Sequence, residues 1–401
     1  MILSQGLFDD LTLKIGDIKV EKSSFGVFDV FSLDFLEAFR LSLIESNKDK
    51  NPEVSSLIYY LRSSNLNRIK MNANLDPERI FQNKGLAFHV CPSNVPTTFA
   101  YSLVWGLLSG CINIVKIPSI EDIAKNRILN SLHELSSNKK FKKIFDQNML
   151  VNYDKIGNTT ESLSAIADIR IGWGSDTTIN ELKQMKTKAT AHEIFFPDRI
   201  SGCMIATKEL EELNQNEITK LGERFVRDFF DYNQLACSSP SFIVWLEGRD
   251  GYVARSRFWE VVQNIVSQKK LLPEILGMQV GKSVKLIHDG FIPANYNQST
   301  WPIKIFRSLD DLKSSQHFSC GYGNFIEFYV ESIDEVFTNA TRRIQSITYF
   351  GIQKKLIQEF CSHNNFNGID RIVPIGNALS IVDLWDGYSI IREMIREICI
   401  D

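Results

Sequence analysis

Between Leu86 and Ile171 the sequence alternates short apolar segments with longer amphipathic ones. The apolar segments, which predict buried strands, lie at 86–91, 112–117, 149–151 and 169–171. The amphipathic segments between them, which predict helices, lie at 99–108, 121–135 and 160–167. Because parallel strands need a crossover connection, usually a helix, this alternation is typical of a parallel sheet with helices on its faces. The sequence therefore predicts an α/β protein with a doubly wound domain.

A second α/β part follows Pro197. Strands are predicted at 201–206 and 242–246, with a helix at 217–230 between them. A chain of 401 residues is long enough for two domains. We expect a first domain at 1–196, a second domain at 197–370 and a C-terminal return segment at 371–401.

The two ends of the chain have less regular patterns. Alternating residues at 11–15 and 18–20 predict a peripheral β-hairpin. Near the C-terminus, apolar residues at helical spacing predict one amphipathic helix, with Ile391, Met394, Ile395 and Ile398 on one side.

Composition argues against several classes of function. The net charge of −3 leaves no basic excess for holding phosphates, so a general nucleic-acid binder is not expected. Seven cysteines at irregular spacings argue against a disulfide framework and favour a reducing cytoplasm. No Cys-x-x-Cys or His-x-x-x-His spacing occurs, so no metal site is predicted.

Neither a leader nor a membrane span is expected. The N-terminus has no basic segment followed by an apolar run, which argues against a signal peptide. The region between Lys84 and Lys116 carries little charge, but prolines and polar residues interrupt it before it reaches the roughly 18 apolar residues of a membrane helix.

A glycine-containing turn follows the strand predicted at 169–171. It reads Gly172-Trp173-Gly174-Ser175, and a polar helix begins at about Asp176. Glycines between a strand and a helix let backbone amides approach a phosphate at the positive helix end. A simple tight turn has the same pattern, and the spacing is not the usual glycine fingerprint of dinucleotide-binding folds. On these residues alone both interpretations stay open.

One cysteine of the second part has a distinctive local setting. Cys237 lies in the stretch Tyr232–Pro240, among small and turn-forming residues between a predicted helix and a predicted strand. A thiol on such a connection can face a cleft and react, whereas a cysteine inside a helix or strand usually serves as a small buried hydrophobe. The local pattern allows either role.

A thiol that attacks a carbonyl needs thiolate character and hydrogen-bond donors for the oxyanion that forms. The backbone N–H of Cys237 is one candidate donor. Asn94 could supply a side-chain amide as the other, from a predicted turn between Pro92 and Pro96. An asparagine between two prolines is otherwise most often a turn residue.

Several motifs resemble those of a known family. Residues 86–96 (Leu-Ala-Phe-His-Val-Cys-Pro-Ser-Asn-Val-Pro) and 112–116 (Ile-Asn-Ile-Val-Lys) resemble two segments of the aldehyde dehydrogenase superfamily, Pro-x-Asn-x-Pro and a strand that ends in lysine. Residues 233–240 (Asn-Gln-Leu-Ala-Cys-Ser-Ser-Pro), 370–373 and 385–387 look like the acyl-CoA reductase family, which includes the fatty acyl reductase subunit of bacterial luminescence systems.

The resemblance implies an aldehyde-dehydrogenase-like fold, with a dinucleotide-binding domain at 1–196 and the catalytic cysteine domain at 197–370. Carried over by position, it implies that Cys237 is the acyl-accepting nucleophile and that Asn94 is an oxyanion donor. The implied cofactor contacts are Lys116 at the adenosine ribose or its phosphate, and Gly172, Gly174 and Ser175 at the pyrophosphate turn.

The activity that the resemblance implies is a ping-pong reduction of an acyl thioester such as acyl-CoA. The acyl group transfers to Cys237, and hydride from a nicotinamide cofactor reduces the enzyme thioester to a thiohemiacetal. The thiohemiacetal then collapses to an aldehyde.

The sequence departs from aldehyde-oxidising relatives in one region. Those relatives carry a Glu-Leu-Gly-Gly segment upstream of the cysteine, and its glutamate activates water to hydrolyse the acyl-enzyme. The corresponding residues 195–202 contain no glutamate, and Glu193 is slightly too far upstream. The difference favours a reductase over an oxidising dehydrogenase.

A second departure concerns cofactor choice. Three residues after the strand lysine, NAD-preferring relatives often carry a glutamate that binds the ribose hydroxyls and repels a 2′-phosphate. This chain has Ser119 there, with Glu121 two residues further on. Because a serine near Lys116 tolerates the phosphate, we predict NADPH, with NADH as the alternative.

Two other functions stay open. They are an aldehyde dehydrogenase in the oxidising direction, and a catalytically retired scaffold or acyl-carrier subunit of the same fold. By analogy with the family, an acyl-activating synthetase partner and a homo-oligomer are expected. His192, His317 and Glu193 are candidates for proton handling, each with a structural role as the alternative.

Overall fold

The structure is a computed structural model of the chain. It describes residues 11–18, 22–154, 157–246, 251–269, 272–294, 302–308, 311–315, 320–380, 382 and 384–400. The chain forms two compact units, which are Met1–Pro197 together with Ile381–Asp401, and Asp198–Ser380.

Strands and helices alternate along most of the chain. The strands are β1 (Thr12–Ile18), β2 (Ile80–Asn83), β3 (Leu86–Val90), β4 (Ile112–Lys116), β5 (Gln147–Asn152), β6 (Ile169–Trp173), β7 (His192–Phe196), β8 (Ile200–Ala206), β9 (Pro240–Leu246), β10 (Ile292–Pro293), β11 (Lys304–Arg307), β12 (Asn324–Val330), β13 (Ile344–Phe350), β14 (Arg371–Pro374), β15 (Leu384–Trp385), β16 (Tyr388–Ser389) and β17 (Ile395–Ile398). The helices are α1 (Val30–Ser46), α2 (Pro52–Tyr60), α3 (Ser63–Asn72), α4 (Thr98–Leu108), α5 (Ile123–Ser136), α6 (Lys142–Phe145), α7 (Thr159–Ile166), α8 (Asp176–Gln184), α9 (Thr207–Glu211), α10 (Gln215–Phe230), α11 (Tyr252–Ser267), α12 (Pro273–His288), α13 (Leu312–Ser315), α14 (Ile333–Thr338), α15 (Lys354–His363) and α16 (Ile390–Met394). Of these described helices, none has the length and apolar character needed to cross a membrane.

The first unit contains a six-stranded sheet in the order β1-β5-β4-β3-β6-β7. Neighbouring strands from β5 to β7 are parallel, and β1 is antiparallel to β5 at one edge. From β3 the chain moves outward through β4 and β5, then returns to the other side of β3 to form β6 and β7. This is the predicted doubly wound arrangement, and its switch point lies between β3 and β6.

Helix α4 lies in the core of the first unit because it is apolar on every side. Its residues from Phe99 to Leu108 are all buried. Two polar groups that α4 brings into the core have hydrogen-bond partners: Trp105 Nε1 donates to the Tyr60 hydroxyl at 2.8 Å, and Ser102 Oγ lies 2.7 Å from His89 Nδ1. Burial lowers the pKa of His89 to about 4, so this histidine is neutral near pH 7.

The second unit contains a seven-stranded sheet in the order β10-β11-β12-β9-β8-β13-β14. The strands from β11 to β14 are parallel, and β10 is antiparallel to β11. Inside the core, Glu327 accepts the indole N–H groups of Trp245 at 2.9 Å and Trp259 at 2.8 Å, and the Tyr329 hydroxyl at 3.1 Å. Burial raises the pKa of Glu327, and these three donors oppose that shift by stabilising the carboxylate.

The expectations for the two chain ends are wrong. Thr12–Ile18 form one strand that pairs with β5 instead of a hairpin; Lys19 and Val20 lie outside the described residues. At the other end the helix stops at Met394, and Ile395–Ile398 continue as β17 on β2. A short apolar run fits a helix or a strand, and here the partner strand β2 decides.

The C-terminal part of the chain belongs to both units. Arg371–Pro374 pair with β13 in the second unit, although the sequence analysis grouped them with the return segment. From residue 381 onward the chain belongs to the first unit. There the ring of Trp385 lies 6.1 Å from that of Trp173, so an aromatic contact holds the returning chain on β6.

Candidate active site

The loop between α10 and β9 is anchored by the buried side chain of Gln234. Its Nε2 donates to the carbonyl oxygens of Pro240 and Asn324, each at 2.9 Å, and its Oε1 accepts the N–H of Gly323 at 3.0 Å. Asn233 and Gln234 have positive φ angles of 51° and 63°, an uncommon conformation for residues other than glycine. The three buried hydrogen bonds stabilise this conformation and fix the path of the loop.

Cys237 lies on this loop, and contacts from β8 and β13 hold it in place. Its carbonyl oxygen accepts the hydroxyl of Ser201 at 2.7 Å, and that hydroxyl accepts the N–H of Ser346 at 3.2 Å. Gln345 Nε2 donates to the Cys237 sulfur at 3.3 Å. The cysteine is half-buried. The sulfur is therefore accessible in part, with an amide donor beside it.

A partly buried arginine lies near the same thiol. The guanidinium of Arg371 donates to the carbonyl oxygens of Ala378 at 2.6 Å and Asn377 at 2.7 Å. Burial lowers the pKa of Arg371, while electrostatic interaction with Asp228 and with Cys237 raises it. A guanidinium keeps its proton in proteins, so Arg371 places a fixed positive charge within electrostatic reach of the thiol.

Asp228, on α10, organises the turn that holds this arginine. Its carboxylate accepts the N–H of Gly376 at 2.6 Å and the N–H of Ala378 at 2.9 Å. Burial raises the pKa of Asp228 to about 6, and the two hydrogen bonds and the charges of Arg227 and Arg371 oppose that shift. The carboxylate and the guanidinium of Arg371 thus bind the same turn after β14.

The other cysteines have different surroundings. The buried ones, whose pKa burial raises in each case, are Cys91, Cys111, Cys203 and Cys320. A buried thiol with a raised pKa is a poor nucleophile. Cys361 is partly exposed on α15, where burial also raises its pKa, and Cys399 is exposed near the C-terminus. Cys237 combines partial exposure with an amide donor and a nearby cation.

The residues expected at the cofactor, and the expected oxyanion donor Asn94, lie at or just beyond the carboxyl ends of the parallel strands in the first unit. Val90, the last residue of β3, pairs with Lys116 of β4 on one side and with Gly172 of β6 on the other. Asn94 is exposed in the segment that follows β3. Ser175 follows β6 and caps α8 with its hydroxyl. We call this group the strand-end cluster: Asn94, Lys116, Ser119, Gly172, Gly174 and Ser175.

Two polar side chains of the strand-end cluster lie at or just beyond the end of β4. Lys116 Nζ lies 4.4 Å from the ring centroid of Tyr153, in cation–π contact. Ser119 is exposed, and its hydroxyl donates to Asn152 Oδ1 at 2.9 Å. Both partners lie at the end of β5, so the neighbouring strand orients these side chains.

The two glycines of the predicted turn have packing roles. The sequence predicted that Gly172 lies in the turn. Strand β6 instead continues to Trp173, so Gly172 lies inside the strand. A Cβ atom on Gly172 would lie 2.8 Å from side-chain atoms of Leu182 and Phe195. A Cβ atom on Gly174 would lie 2.9 Å from a side-chain carbon in α8. Packing alone therefore favours glycine at both positions.

The strand-end cluster fits a dinucleotide. In doubly wound sheets such ligands bind outside the carboxyl ends of the strands, at the switch point, which here lies between β3 and β6. Helix α8 begins at this edge, and its first amides suit a pyrophosphate. Lys116 adds a positive charge one strand away. Gly174, Ser175 and Lys116 are the residues that could hold a nicotinamide dinucleotide.

The other candidates for proton handling have structural partners. His192 Nε2 lies 2.7 Å from the carboxylate of Glu393, and Glu193 pairs with the buried Arg170. His192 begins β7, so it lies at the amino edge of the sheet, opposite the strand-end cluster. His317 lies outside the described residues. Within the described ranges, no group of three or more His, Cys, Asp or Glu side chains could hold a metal ion.

Two residues near Cys237, Gln345 and Arg371, were not predicted from the sequence. Gln345 is a polar residue in the buried strand β13, and a buried polar side chain requires a partner. Its residue type was the one signal in the sequence, and that signal does not identify the partner. Arg371 lies in the segment 370–373, which resembles the acyl-CoA reductase family, but no local pattern places it near the cysteine.

Comparison with solved structures supports the fold. The chain is similar to aldehyde dehydrogenase 21 from Physcomitrella patens, with a TM-score of 0.68, 9% identity, and coverage of 94% of this chain and 86% of that chain. It is similar to an NADP dependent enzyme from E. coli, with a TM-score of 0.66, 12% identity, and coverage of 94% of this chain and 86% of that chain. It is also similar to a lactaldehyde dehydrogenase, with a TM-score of 0.65, 8% identity, and coverage of 91% of this chain and 85% of that chain. At these identities the similarity establishes the aldehyde dehydrogenase fold.

No curated protein sequence matches the chain. The profile of the acyl-CoA reductase (LuxC) family matches residues 66–283, which is more than half of the chain. The chain therefore belongs to the acyl-CoA reductase (LuxC) family and is an oxidoreductase of the acyl-CoA reductase and aldehyde dehydrogenase kind.

Proposed function

We propose that this protein reduces acyl thioesters to aldehydes through an acyl group bound to Cys237, with NADPH as the electron donor. The observation that carries the proposal is the setting of Cys237: a half-buried residue on a fixed loop, with the Gln345 amide 3.3 Å from its sulfur and the Arg371 guanidinium within electrostatic reach. Donors and cations near a thiol favour the thiolate, which is the reactive form.

In the first half-reaction the Cys237 thiolate attacks the carbonyl carbon of the acyl-CoA. A new carbon–sulfur bond forms, and the bond to the CoA sulfur breaks, so CoA leaves as a thiolate and takes up a proton. The carbonyl oxygen carries negative charge in between. We assign its stabilisation to the backbone N–H of Cys237 and to the Asn94 amide, an assignment that rests on the family resemblance.

In the second half-reaction the thioester on Cys237 becomes a thiohemiacetal. The bound nicotinamide would supply the hydride for this step. The carbon–sulfur bond then breaks, so that the aldehyde leaves and Cys237 departs as a thiolate. Gln345 and Arg371 stabilise that departing thiolate as they stabilise the attacking one. The sum converts one acyl-CoA, one NADPH and one proton into one aldehyde, one CoA and one NADP⁺.

The ion pair of Glu193, the glutamate just upstream of residues 195–202, favours reduction of the acyl-enzyme over its hydrolysis. Glu193 neutralises the buried guanidinium of Arg170, and its strand pairs alongside that of Arg170. A carboxylate engaged in this ion pair is a poor base for activating water. The acyl group on Cys237 therefore persists until hydride arrives.

The preference for NADPH rests on the strand-end cluster. Ser119 is exposed and neutral where a glutamate would repel a 2′-phosphate, and Lys116 provides a positive charge three residues before it. We therefore expect turnover with NADPH to exceed turnover with NADH.

The direct test is the mass of the intact protein after incubation with an acyl-CoA and no cofactor. We expect one added acyl group that hydroxylamine removes, and no adduct on Cys237→Ala. Cys361→Ser is the matched control, since Cys361 is also partly exposed, and it should be acylated like the native protein. An adduct that survives in Cys237→Ala, or none in the native protein with any chain length, would refute the proposal.

A further inference from the structure

The carboxyl end of β5 presents two residues to the strand-end cluster. Asn152 is the last residue of β5, and Tyr153 follows it. The amide oxygen of Asn152 accepts the hydroxyl of Ser119 at 2.9 Å, and the Tyr153 ring is the one in cation–π contact with Lys116. Strands β4 and β5 are parallel neighbours, and Lys116 pairs with Val151. The end of one strand therefore orients both groups that we assign to the 2′-position of the cofactor ribose.

The turn that carries Ser119 is held by a buried lysine. Lys125 lies on α5, and its ammonium donates to the carbonyl oxygens of Pro118, at 3.5 Å, and of Ile120. These two carbonyl groups flank Ser119 on both sides. The contacts restrict the backbone of Ser119, so its hydroxyl stays within reach of Asn152. The ammonium also brings a positive charge to this turn, which favours an anion beside it.

The direction of the hydrogen bond between Ser119 and Asn152 limits what the serine can offer a ligand. A serine hydroxyl has one proton and two lone pairs. Its proton points to the Asn152 oxygen, so toward a ligand the serine oxygen accepts a hydrogen bond and donates none. A ribose 2′-hydroxyl can donate to that oxygen. A 2′-phosphate presents acceptor oxygens near pH 7, and it needs the serine proton instead.

The amide group of Asn152 can satisfy either requirement, because it has an acceptor on one side and a donor on the other. A half-turn of the amide exchanges its oxygen for its nitrogen beside Ser119. The nitrogen then donates to the serine oxygen, and the serine proton becomes available to the ligand. An aspartate at the same position offers acceptors alone, so it would keep the serine proton for itself.

We propose that Asn152 determines which nicotinamide cofactor the strand-end cluster accepts. With the amide oxygen toward Ser119 the site suits the 2′-hydroxyl of NADH. With the amide nitrogen toward Ser119 it suits the 2′-phosphate of NADPH, and Lys116 then supplies the opposite charge. Asn152 is a positioning residue that acts through Ser119. The inference rests on the proposed function for the assignment of Lys116 and Ser119 to the ribose 2′-position.

The test is calorimetric titration of the full chain with two probes, adenosine 2′,5′-bisphosphate and adenosine 5′-monophosphate, at pH 7. The probes differ at the 2′-position alone, and neither takes part in the reaction at Cys237. We expect the native protein to bind both, the bisphosphate more tightly. Asn152→Asp should weaken binding of the bisphosphate by about tenfold and that of the monophosphate by less than about twofold, because the serine proton is withheld from the phosphate.

Ser119→Ala separates an effect through the serine from direct charge repulsion. A carboxylate at position 152 repels a phosphate with or without the serine, but it withholds the serine proton only when the serine is present. In the Ser119→Ala background, therefore, Asn152→Asp should weaken binding of the bisphosphate by less than about threefold.

Asn138→Asp is the matched control for the change of an asparagine to an aspartate. Asn138 is exposed beyond the end of α5, where its side chain accepts the N–H of Lys140 at 2.9 Å. The 14 residues of α5 separate it from the turn of Ser119 by about 21 Å. This variant should bind both probes like the native protein.

Three results would overturn the proposal. One is Asn152→Asp binding the bisphosphate as tightly as the native protein does. Another is an equal loss with and without Ser119, which would mean that charge repulsion alone is responsible. The third is a native protein that binds neither probe. The acylation assay is independent of these titrations, because a protein that binds the probes as expected but is never acylated on Cys237 would refute the proposed reaction alone.

Discussion

The strand-end cluster of the first unit and the Cys237 loop of the second unit are fixed by different kinds of contact. In the cluster, Lys116 and Gly172 take their positions from ladder pairing with Val90, within one regular sheet. In the loop, Cys237 takes its position from Gln345, a partner 108 residues away, and from Ser201 on another strand. The regular pairing of a sheet therefore positions the strand-end cluster, whereas individual side-chain hydrogen bonds position the Cys237 loop.

This difference has consequences for substitution. Replacing an exposed side chain of the strand-end cluster, such as that of Ser119, leaves the ladder intact, so its effect should be confined to the cofactor. A change around Cys237 removes a buried hydrogen bond or charge, so it should affect both stability and the reactivity of the thiol. The predictions below test this contrast, from the largest expected effect to the smallest.

Arg371→Met should have the largest effect. It removes the cation near Cys237, the Arg371 donors to the carbonyl oxygens of Asn377 and Ala378, and one of the two positive charges near Asp228. Because two hydrogen bonds from a charged donor are lost, we expect a loss of about 3 kcal/mol in the free energy of unfolding, measured by urea denaturation at pH 7, together with slower acylation.

Arg342→Met is the matched control for that change. Arg342 is 70% exposed and lies 3.7 Å from Asp370, so its removal should cost less than about 0.5 kcal/mol. Equal losses from the two substitutions would mean that the turn after β14 does not depend on Arg371.

Asp228→Asn should change how stability depends on pH. Burial raises the pKa of Asp228 from its ordinary 3.8 to about 6 in the folded protein. Between these values the folded chain holds a proton that the unfolded chain has lost, so this group lowers the free energy of unfolding as pH rises from about 4 to about 6, by about 3 kcal/mol in total.

The asparagine variant cannot titrate at this position. The free energy of unfolding of the native protein should therefore fall relative to that of Asp228→Asn between pH 4 and pH 6.5, as measured by denaturant titrations at each pH. If the two pH profiles run parallel, the pKa of Asp228 is not raised in the folded protein, and our account of a buried carboxyl group that binds the turn after β14 would be wrong.

Gln345→Leu keeps most of the side-chain volume and removes the donor to the Cys237 sulfur. A hydrogen bond to a charged group contributes about 1.5–3 kcal/mol, so acylation should slow by about 10- to 100-fold. The pH profile of thiol alkylation by iodoacetamide should move to higher pH, because the thiolate loses a donor.

Gln353→Leu is the control for the loss of a glutamine. Gln353 is exposed at the start of α15. Its replacement should leave both the rate of acylation and the pH profile of thiol alkylation unchanged. If Gln345→Leu slows acylation but leaves the alkylation profile in place, the amide has a packing role and does not stabilise the thiolate.

Ser119→Glu tests the strand-end cluster and should have the smallest effect. The new carboxylate would repel a 2′-phosphate, and we expect the ratio of kcat/KM for NADPH over NADH to fall by about tenfold, or about 1.4 kcal/mol. The melting temperature and the acyl adduct on Cys237 should not change. Loss of the acyl adduct in Ser119→Glu would contradict our expectation that changes in the strand-end cluster do not affect acylation of Cys237.

The same contrast explains how much could be predicted from the sequence. The alternation of apolar and amphipathic segments predicted the strands from β3 to β6 and the helices from α4 to α8 except the short α6, because the local pattern determines them. The small residues around Cys237 indicated a loop, and the structure has one. Gln345 was not identified because a hydrogen bond across 108 residues leaves no local pattern.

The errors at the chain ends have the same physical origin. The run from Ile390 to Ile398 carries helical spacing, yet its second half pairs with β2, more than 300 residues earlier. The predicted N-terminal hairpin failed because β1 pairs with β5 instead. In both cases the deciding contact is a distant strand. Gly172 was assigned to a turn because the end of β6 was placed two residues too early.

The most direct test of the central claim is a single-turnover chase of the acyl-enzyme. The protein is acylated with a radiolabelled acyl-CoA, freed of excess CoA ester by gel filtration, and then mixed with NADPH alone. We predict that the label leaves Cys237 as aldehyde, with one NADPH oxidised for each acyl group released. Label that stays on the protein, or leaves as free acid without oxidation of NADPH, would contradict the account.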